Sequence, residues 1–172
     1  MRHHGISKNI RLSEVFVGTN MAIITVYHGT TFKRAKKIIA DKKIKITSFN
    51  IARYDDTTNG YIYVTSELHD AIGFSTRPIL GEDVLTIVVF KIQIDTKELM
   101  TDADEEKWQS TLDVNDAKKC YRIKRDLLIG KDVVAVFCKK MPSHNAIGNY
   151  MQALQYGEKE VKESEWKVLC HD

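Results

Sequence analysis

The stretch AIITVYHGTT, residues 22–31, changes character part-way along and sets the order of the elements that follow. Its first six residues are apolar, β-branched or aromatic, which is typical of a short buried strand. The strand pattern stops at His28 and Gly29, and from Phe32 onward apolar residues recur at helical spacing between lysines. The sequence therefore predicts a strand and a helix, with a histidine and a glycine at their junction.

A second strand is predicted at Tyr61–Thr65, after a polar loop that ends at Gly60, and residues 66–74 then predict a short helix. Residues 84–94 carry the strongest strand pattern, typical of a central strand. Further strands are predicted at 118–128 and 132–138, an edge strand at 166–170, and a third helix around 147–154 ending near Gly157. Because short strands outnumber helices and the helices intervene irregularly, the pattern favours an α+β fold.

Length and composition indicate one globular domain. The chain has 172 residues, 43% of them apolar, which suits a single domain. Residues 1–20 show no sustained period and are interpreted as an N-terminal tail, either native or added, so the domain is expected to span residues 21–172. The net charge of +3 is weak support for a nucleic-acid partner.

The expected location is the cytoplasm. No apolar run approaches the ~20 residues that a membrane span needs, and no secretory signal opens the chain. The three cysteines stand at long spacings without a CxxC pair, which favours a reducing compartment over a disulfide framework or a zinc site. The sequence lacks GxGxxG, GxxxxGK[ST], GxSxG and HExxH, so the commonest phosphate loops and hydrolase motifs are excluded.

Two motifs carry a specific resemblance. Tyr27-His28-Gly29-Thr30 ends the first strand, and Gly60-Tyr61-Ile62-Tyr63-Val64-Thr65 forms the second, followed by a helix with Ala71 and Phe74. Together they resemble the ADP-ribosyltransferase superfamily, in the His-Tyr branch that includes diphtheria-toxin-like transferases and poly(ADP-ribose) polymerases. The resemblance runs from about residue 26 to residue 137. It implies a single-domain fold of two small packed, mostly antiparallel sheets with flanking helices.

The resemblance also implies NAD as the substrate that these motifs hold. The main chain of Gly29 would pair with the nicotinamide carboxamide, because a residue without Cβ lets a ligand approach closely. His28 would hydrogen-bond a ribose hydroxyl, and Tyr63 would stack on the nicotinamide ring. The remaining expected contacts with NAD come from Thr30, Tyr61, Phe74 and Arg122.

The third motif of the family departs from its pattern here. Active members carry a carboxylate, usually a glutamate, that binds the ribose and orients the acceptor, and the matching stretch, residues 118–126, contains no glutamate. Glu105 (or its neighbour Glu106) from an acidic loop, or Asp126 at the end of the stretch, are the candidates to replace it. Otherwise the protein performs different chemistry.

Four hypotheses follow in order of preference, of which the last is a binding module in which the resemblance is coincidental. The first is a mono-ADP-ribosyltransferase that transfers ADP-ribose from NAD to a macromolecule, with a protein acceptor favoured over nucleic acid and no membrane partner. The small size suits a toxin or a phage or conflict-system effector. The second is a catalytically silent member that binds NAD or a protein partner. The third resembles the NAD-dependent RNA 2′-phosphotransferases, which use arginines instead of a glutamate, and Arg122 and Arg125 favour it slightly.

Overall fold

The computed structural model describes residues 22–46, 60–78, 81–101 and 120–170. The three helices in this part of the chain are α1 (Phe32–Asp41), α2 (Leu68–Ser75) and α3 (His144–Gln155). Its nine strands are β1 (Ile23–Gly29), β2 (Lys43–Ile44), β3 (Ile62–Thr65), β4 (Thr86–Asp95), β5 (Met100–Thr101), β6 (Cys120–Ile123), β7 (Leu127–Leu128), β8 (Val133–Lys140) and β9 (Lys167–Val168). Single turns of 3₁₀ helix occur at Thr96–Glu98 and Glu163–Glu165. The mixed α and β content confirms the predicted class.

Seven of the described strands form one sheet in the order β5-β6-β3-β1-β4-β8-β9, and every neighbouring pair is antiparallel. The second sheet consists of β2 and β7. The expectation of two small sheets is therefore corrected to one large sheet and a two-stranded one. The reason is β4, which is ten residues long and pairs along its length with β1 on one side and β8 on the other.

The large sheet is buried on both faces, because successive residues of a strand point to opposite faces and β4 carries apolar residues on both. One face is covered by α1 with β2 and β7, and its core includes Val26, Phe90 and Ile123. The other face is covered by α2 and α3, and its core includes Val89 and Phe137. We refer to these as the α1 face and the α2 face.

The prediction of one strand over residues 118–128 is wrong, because the described part of that stretch forms β6 and β7, which belong to different sheets. Arg125 in the turn between them explains the break. Its guanidinium donates to Glu98 and Asp132 and, at 3.1 Å, to the carbonyl of Asp126. These bonds fix a turn where a pattern of alternating residues predicted a continuous strand.

The other predicted elements are confirmed within small shifts of their ends. The pattern at 84–94 corresponds to β4, and the predicted edge strand corresponds to β9 at the edge of the large sheet. Helix α3 begins after Ser143, whose hydroxyl accepts from the Ala146 amide at 3.1 Å. The tail at residues 1–20 and the polar loop before Gly60 lie outside the described residues, apart from Gly60 itself.

Candidate functional site

The candidate site lies at the end of β1, where β1 is still paired with β4 but no longer paired with β3. The ladder between β1 and β4 continues to the pair Gly29–Val89. Between β1 and β3 the register contains one pair among the described residues, Tyr27–Thr65. The two strands therefore separate beyond Tyr27, beside His28 and Gly29.

The main chain of Gly29 faces the side on which the strands separate. Thr30, the next residue, donates its amide to the carbonyl of Val88 at 3.2 Å and so directs its main-chain groups to β4. Successive residues of an antiparallel strand direct these groups alternately to one neighbour and the other. The N–H and C=O of Gly29 therefore point toward β3, which is the orientation that pairing with a carboxamide requires.

The His28 ring bridges the separated strands. Its Nδ1 lies 2.8 Å from the main-chain oxygen of Tyr63, although the two residues are 35 positions apart in sequence. A carbonyl oxygen only accepts hydrogen bonds, so Nδ1 carries the proton and donates. In the neutral ring Nε2 is then the acceptor, as a hydrogen bond from a ribose hydroxyl requires. The fold thus brings together the histidine motif at the end of β1 and the tyrosine motif of β3.

His28 and Tyr63 project from opposite faces of the sheet. Alternation puts His28 on the α1 face with Val26, and puts Tyr63 on the α2 face, because its neighbours Ile62 and Val64 belong to the α1-face core. Both side chains are half-buried. A ligand at the end of the sheet, between β1 and β3, would therefore meet the histidine on one face and the tyrosine on the other.

Helix α2 fixes the strand end from the α2 face. A Cβ built on Gly29 would lie 1.8 Å from the carbonyl oxygen of Ala71 and 3.0 Å from the amide of Ser75. The structure therefore gives Gly29 a packing role in addition to the close ligand approach expected from the sequence. Phe74 lies in the same helical turn, half-buried, with the Arg77 guanidinium 4.9 Å from its ring centroid.

Ser75 joins α2 to both strands at this point. Its hydroxyl accepts from the Val88 amide at 2.7 Å and donates to the Thr30 carbonyl at 2.8 Å, so a side chain replaces one bond of the β1–β4 ladder. Ser75 is fully buried. The sequence alone does not single out this serine, because its partners are main-chain groups of two other elements and leave no local signal.

Thr30, expected to contact NAD through its hydroxyl, is only 1% exposed. Its main chain is held by Val88 and Ser75. A ligand reaches this hydroxyl only if the strand end shifts. The structure thus separates Thr30 from the more accessible residues of the site, which are His28, Gly29, Tyr61, Tyr63, Phe74 and Arg122.

Arg122 lies beside Tyr63 on the α2 face. The two residues are paired across β6 and β3, and the Arg122 guanidinium carbon lies 4.3 Å from the centroid of the Tyr61 ring. The Nε atom of Arg122 is buried and has no hydrogen-bond partner among the described residues. Such an unpaired donor costs about 1–3 kcal/mol of folding free energy. The structure therefore brings Tyr61, Tyr63 and Arg122 together.

Asp126 is held elsewhere. Its Oδ1 accepts from the Ile46 amide at 2.8 Å, and its Oδ2 lies 3.7 Å from the Lys43 ammonium. The two oxygens therefore contact the first residue of β2 and the residue two positions after β2, beside the small β2–β7 sheet. Glu105 and Glu106, the other candidate carboxylates, lie outside the described residues.

Arg125 is occupied by carboxylates. It makes two hydrogen bonds with Glu98 and two with Asp132, the latter both at 2.9 Å. Burial opposes ionisation of Asp132, but the hydrogen bonds from Arg125 and from the Leu128 amide outweigh it and lower the pKa of this carboxyl. These contacts give Arg125 a structural role, and the support it offered to a phosphate-binding role is lost.

A cleft of about 290 Å³ lies on the α2 face beside Tyr27. The rings of Tyr27 and Trp166 stack with centroids 5.9 Å apart, and Lys91 lies 4.3 Å from the Trp166 centroid and 3.7 Å from Glu163. Burial, followed by Glu67 and Glu163, raises the pKa of the Tyr27 hydroxyl. The side chains of Tyr27, Trp166, Lys91 and Glu163 thus contact one another. We interpret them as a structural cluster that covers the edge of the α2-face core.

Within residues 22–46, 60–78, 81–101 and 120–170, no group of three or more His, Cys, Asp or Glu side chains is arranged to hold a metal ion. Over the same ranges, no helix has the length and apolar character needed to cross a membrane.

Comparisons with protein-family models, with curated proteins and with solved structures return no match to this chain. The functional assignment therefore rests on the residues and on their geometry.

Proposed function

We propose that this protein is an NAD-dependent mono-ADP-ribosyltransferase that modifies a macromolecule in the cytoplasm. In this proposal His28 binds a ribose hydroxyl through Nε2, Gly29 pairs with the nicotinamide carboxamide, and Tyr63 stacks on the nicotinamide ring. Phe74 covers the pocket from α2. NAD is the donor substrate, and a protein is the preferred acceptor.

One observation carries the proposal, namely the hydrogen bond from His28 Nδ1 to the Tyr63 carbonyl at 2.8 Å. It joins the histidine motif and the tyrosine motif at the point where β1 and β3 separate. The main-chain groups of Gly29 face the same point, because the register with β4 directs them away from β4. A donor–acceptor pair for an amide, a ring acceptor for a hydroxyl and an aromatic face thus meet at one strand end.

The reaction is substitution at the ribose carbon that carries nicotinamide. The bond from C1′ to the pyridinium nitrogen breaks, nicotinamide leaves with the electron pair, and an oxygen or nitrogen nucleophile of the acceptor bonds to C1′ and loses its proton to solvent. The transition state resembles an oxocarbenium ion, as in glycoside hydrolysis, so holding the pyridinium and orienting the ribose is the main task of the site. Glu105 or Asp126 would stabilise the developing charge, and Asp126 would first have to leave Ile46 and Lys43.

The test is NAD binding by calorimetry together with nicotinamide release in the presence of a cell lysate as the source of acceptors. His28→Ala should abolish both. His28→Gln retains an amide near the Nε2 position, and His28→Asn retains one near Nδ1, so the pair separates the ribose contact from the bridge to Tyr63. His144→Ala is the matched control, because His144 is exposed at the start of α3.

Loss of binding and release in His28→Ala, with His144→Ala unchanged, would support the transferase. If the wild-type protein bound no NAD at millimolar concentration, the proposal would be wrong. Nicotinamide release that was unchanged in His28→Ala would also contradict it.

A catalytically silent NAD-binding protein is the second candidate. The observation that favours it is the position of Asp126, whose two carboxylate oxygens are engaged by Ile46 and Lys43. This candidate predicts measurable NAD affinity, dependent on His28, without nicotinamide release for any acceptor. Asp126→Asn separates the two candidates if Asp126 is the catalytic carboxylate. The substitution then lowers nicotinamide release in a transferase, whereas a silent protein releases none before or after it.

The 2′-phosphotransferase alternative keeps one of its two arginines. Arg125 is bound to Glu98 and Asp132, whereas Arg122 remains beside Tyr63. This alternative predicts transfer of an RNA 2′-phosphate to the ADP-ribose part of NAD with release of nicotinamide. Loss of the 2′-phosphate from a 2′-phosphorylated oligoribonucleotide, followed together with nicotinamide release, measures it.

A further inference from the structure

Arg122 differs from the other arginines whose ion pairs are described. Arg34 lies 3.2 Å from Glu82, and Arg125 is held by two carboxylates. Among the described residues, the guanidinium of Arg122 contacts the Tyr61 ring, and its buried Nε has no hydrogen-bond partner. A guanidinium that is half-buried and meets no carboxylate among these residues is a strong binding group for an anion.

The Tyr61 ring holds the guanidinium of this arginine through a cation–π contact. Stacking of a guanidinium on an aromatic face holds its plane and leaves the edge of the fork for hydrogen bonds. The register places Arg122 directly opposite Tyr63, so the fork lies on the α2 face beside the ring expected to hold nicotinamide. Arg122 therefore places a cation on the same face as this ring.

We propose that Arg122, stacked on Tyr61, forms an anion site that binds a phosphate group next to Tyr63. This inference depends on the proposed function in one respect, the source of the phosphate. That source is either the diphosphate of NAD or a phosphate carried by the acceptor. The planar fork binds two oxygens of one phosphate, and the bound anion compensates the positive charge that the stack keeps partly buried.

The experiment measures the affinities of the full chain for inorganic pyrophosphate, ADP-ribose and nicotinamide by calorimetry at low ionic strength. Arg122→Gln removes the charge, and Arg122→Lys keeps the charge without the fork. Lys124→Gln is the matched control, because Lys124 is exposed two residues further along the chain and its replacement changes the net charge equally. Thermal unfolding of each variant confirms that it is folded before its affinities are compared.

We expect Arg122→Gln to weaken pyrophosphate binding about 10-fold or more, the scale of one charge-assisted bidentate contact, while Lys124→Gln changes it little. Arg122→Lys should fall between them, and nicotinamide affinity should stay unchanged. A parallel loss of ADP-ribose affinity identifies the NAD diphosphate as the source. Unchanged ADP-ribose affinity with weakened pyrophosphate binding identifies an acceptor phosphate.

Equal effects of Arg122→Gln and Lys124→Gln on every phosphate-bearing probe would overturn the site, as would absence of pyrophosphate binding by the wild-type protein. Failure of the proposed function has a different signature. In that case pyrophosphate binding depends on Arg122 while the wild-type protein neither binds NAD nor releases nicotinamide.

Discussion

The α-carbon of Gly29 packs directly on the carbonyl of Ala71, so that a Cβ at position 29 would lie 1.8 Å from the Ala71 oxygen and 2.7 Å from its carbon. Both atoms belong to the backbone of α2, which a side-chain rotation cannot move. The close approach holds α2 against the strand end that carries His28. The same glycine therefore serves the packing of the fold and the geometry of the candidate site.

Gly29→Ala should destabilise the protein by about 3 kcal/mol or more, because overpacking against backbone forces a strand or a helix to shift. Gly148→Ala is the control, since nothing lies within 4 Å of a Cβ at that exposed position in α3. It should instead stabilise the protein by up to about 1 kcal/mol through helix propensity. Urea unfolding measures both changes, and equal stability of the two variants would contradict the packing role of Gly29.

Ser75→Ala should lower the free energy of unfolding by more than the small size of the serine side chain suggests. It leaves the buried Val88 amide and Thr30 carbonyl without the hydroxyl that joins them, and each orphaned group costs about 1–3 kcal/mol. The expected loss of unfolding free energy is therefore about 2–6 kcal/mol.

The adjacent Thr76 supplies a matched control for Ser75→Ala. The Thr76 hydroxyl donates at 2.8 Å to the Ile72 carbonyl, which also accepts the Thr76 amide. Thr76→Val should therefore cost about 1 kcal/mol or less. Chemical denaturation of both variants decides, and a loss in Ser75→Ala no larger than in Thr76→Val would show that the bridge contributes little.

The Arg125–Asp132 pair predicts a specific acid dependence of stability. The folded-state pKa of Asp132 is lowered, so its contribution is complete above the unfolded pKa of about 3.9 and is lost as the pH falls through the folded value. Asp132→Asn should cost about 1–3 kcal/mol at pH 7, because it removes the charge of a buried carboxylate while the partly exposed Arg125 keeps its bonds to Glu98. The gap between wild type and variant should shrink as the pH falls below about 4 in urea titrations. A gap that stays constant would mean that the charge of Asp132 is not its source.

Tyr63 should contribute through its ring and not through its hydroxyl. Tyr63→Ala removes the face on which nicotinamide stacks and should weaken NAD binding by about 1 kcal/mol or more, whereas Tyr63→Phe keeps that face. Calorimetric NAD titration compares them, with nicotinamide alone as a second ligand. If Tyr63→Phe lost as much affinity as Tyr63→Ala, a hydrogen bond from the hydroxyl would replace stacking as the explanation.

The sequence was sufficient to predict most of the strands and all three described helices, because each carries its own periodicity. The mixed α and β class followed from their number and order. Residues 118–128 show where local pattern fails, since alternation continues through Arg125 while its bonds to Glu98 and Asp132 impose a turn. Glu98 belongs to the 3₁₀ turn after β4, 27 residues from Arg125, and Asp132 immediately precedes β8, and apolar alternation carries no signal for either bond.

What the sequence by itself determined is therefore local, namely the strand that ends at His28, the strand that contains Tyr63 and the glycine between the first strand and α1. The tertiary structure alone decided that His28 donates to the Tyr63 carbonyl, that Ser75 replaces a bond of the ladder, and that Arg122 stacks on Tyr61 beside Tyr63. Each of these relationships joins groups from separate elements. Their geometry depends on strand register and helix packing, which are set by the whole core and not by neighbours in sequence.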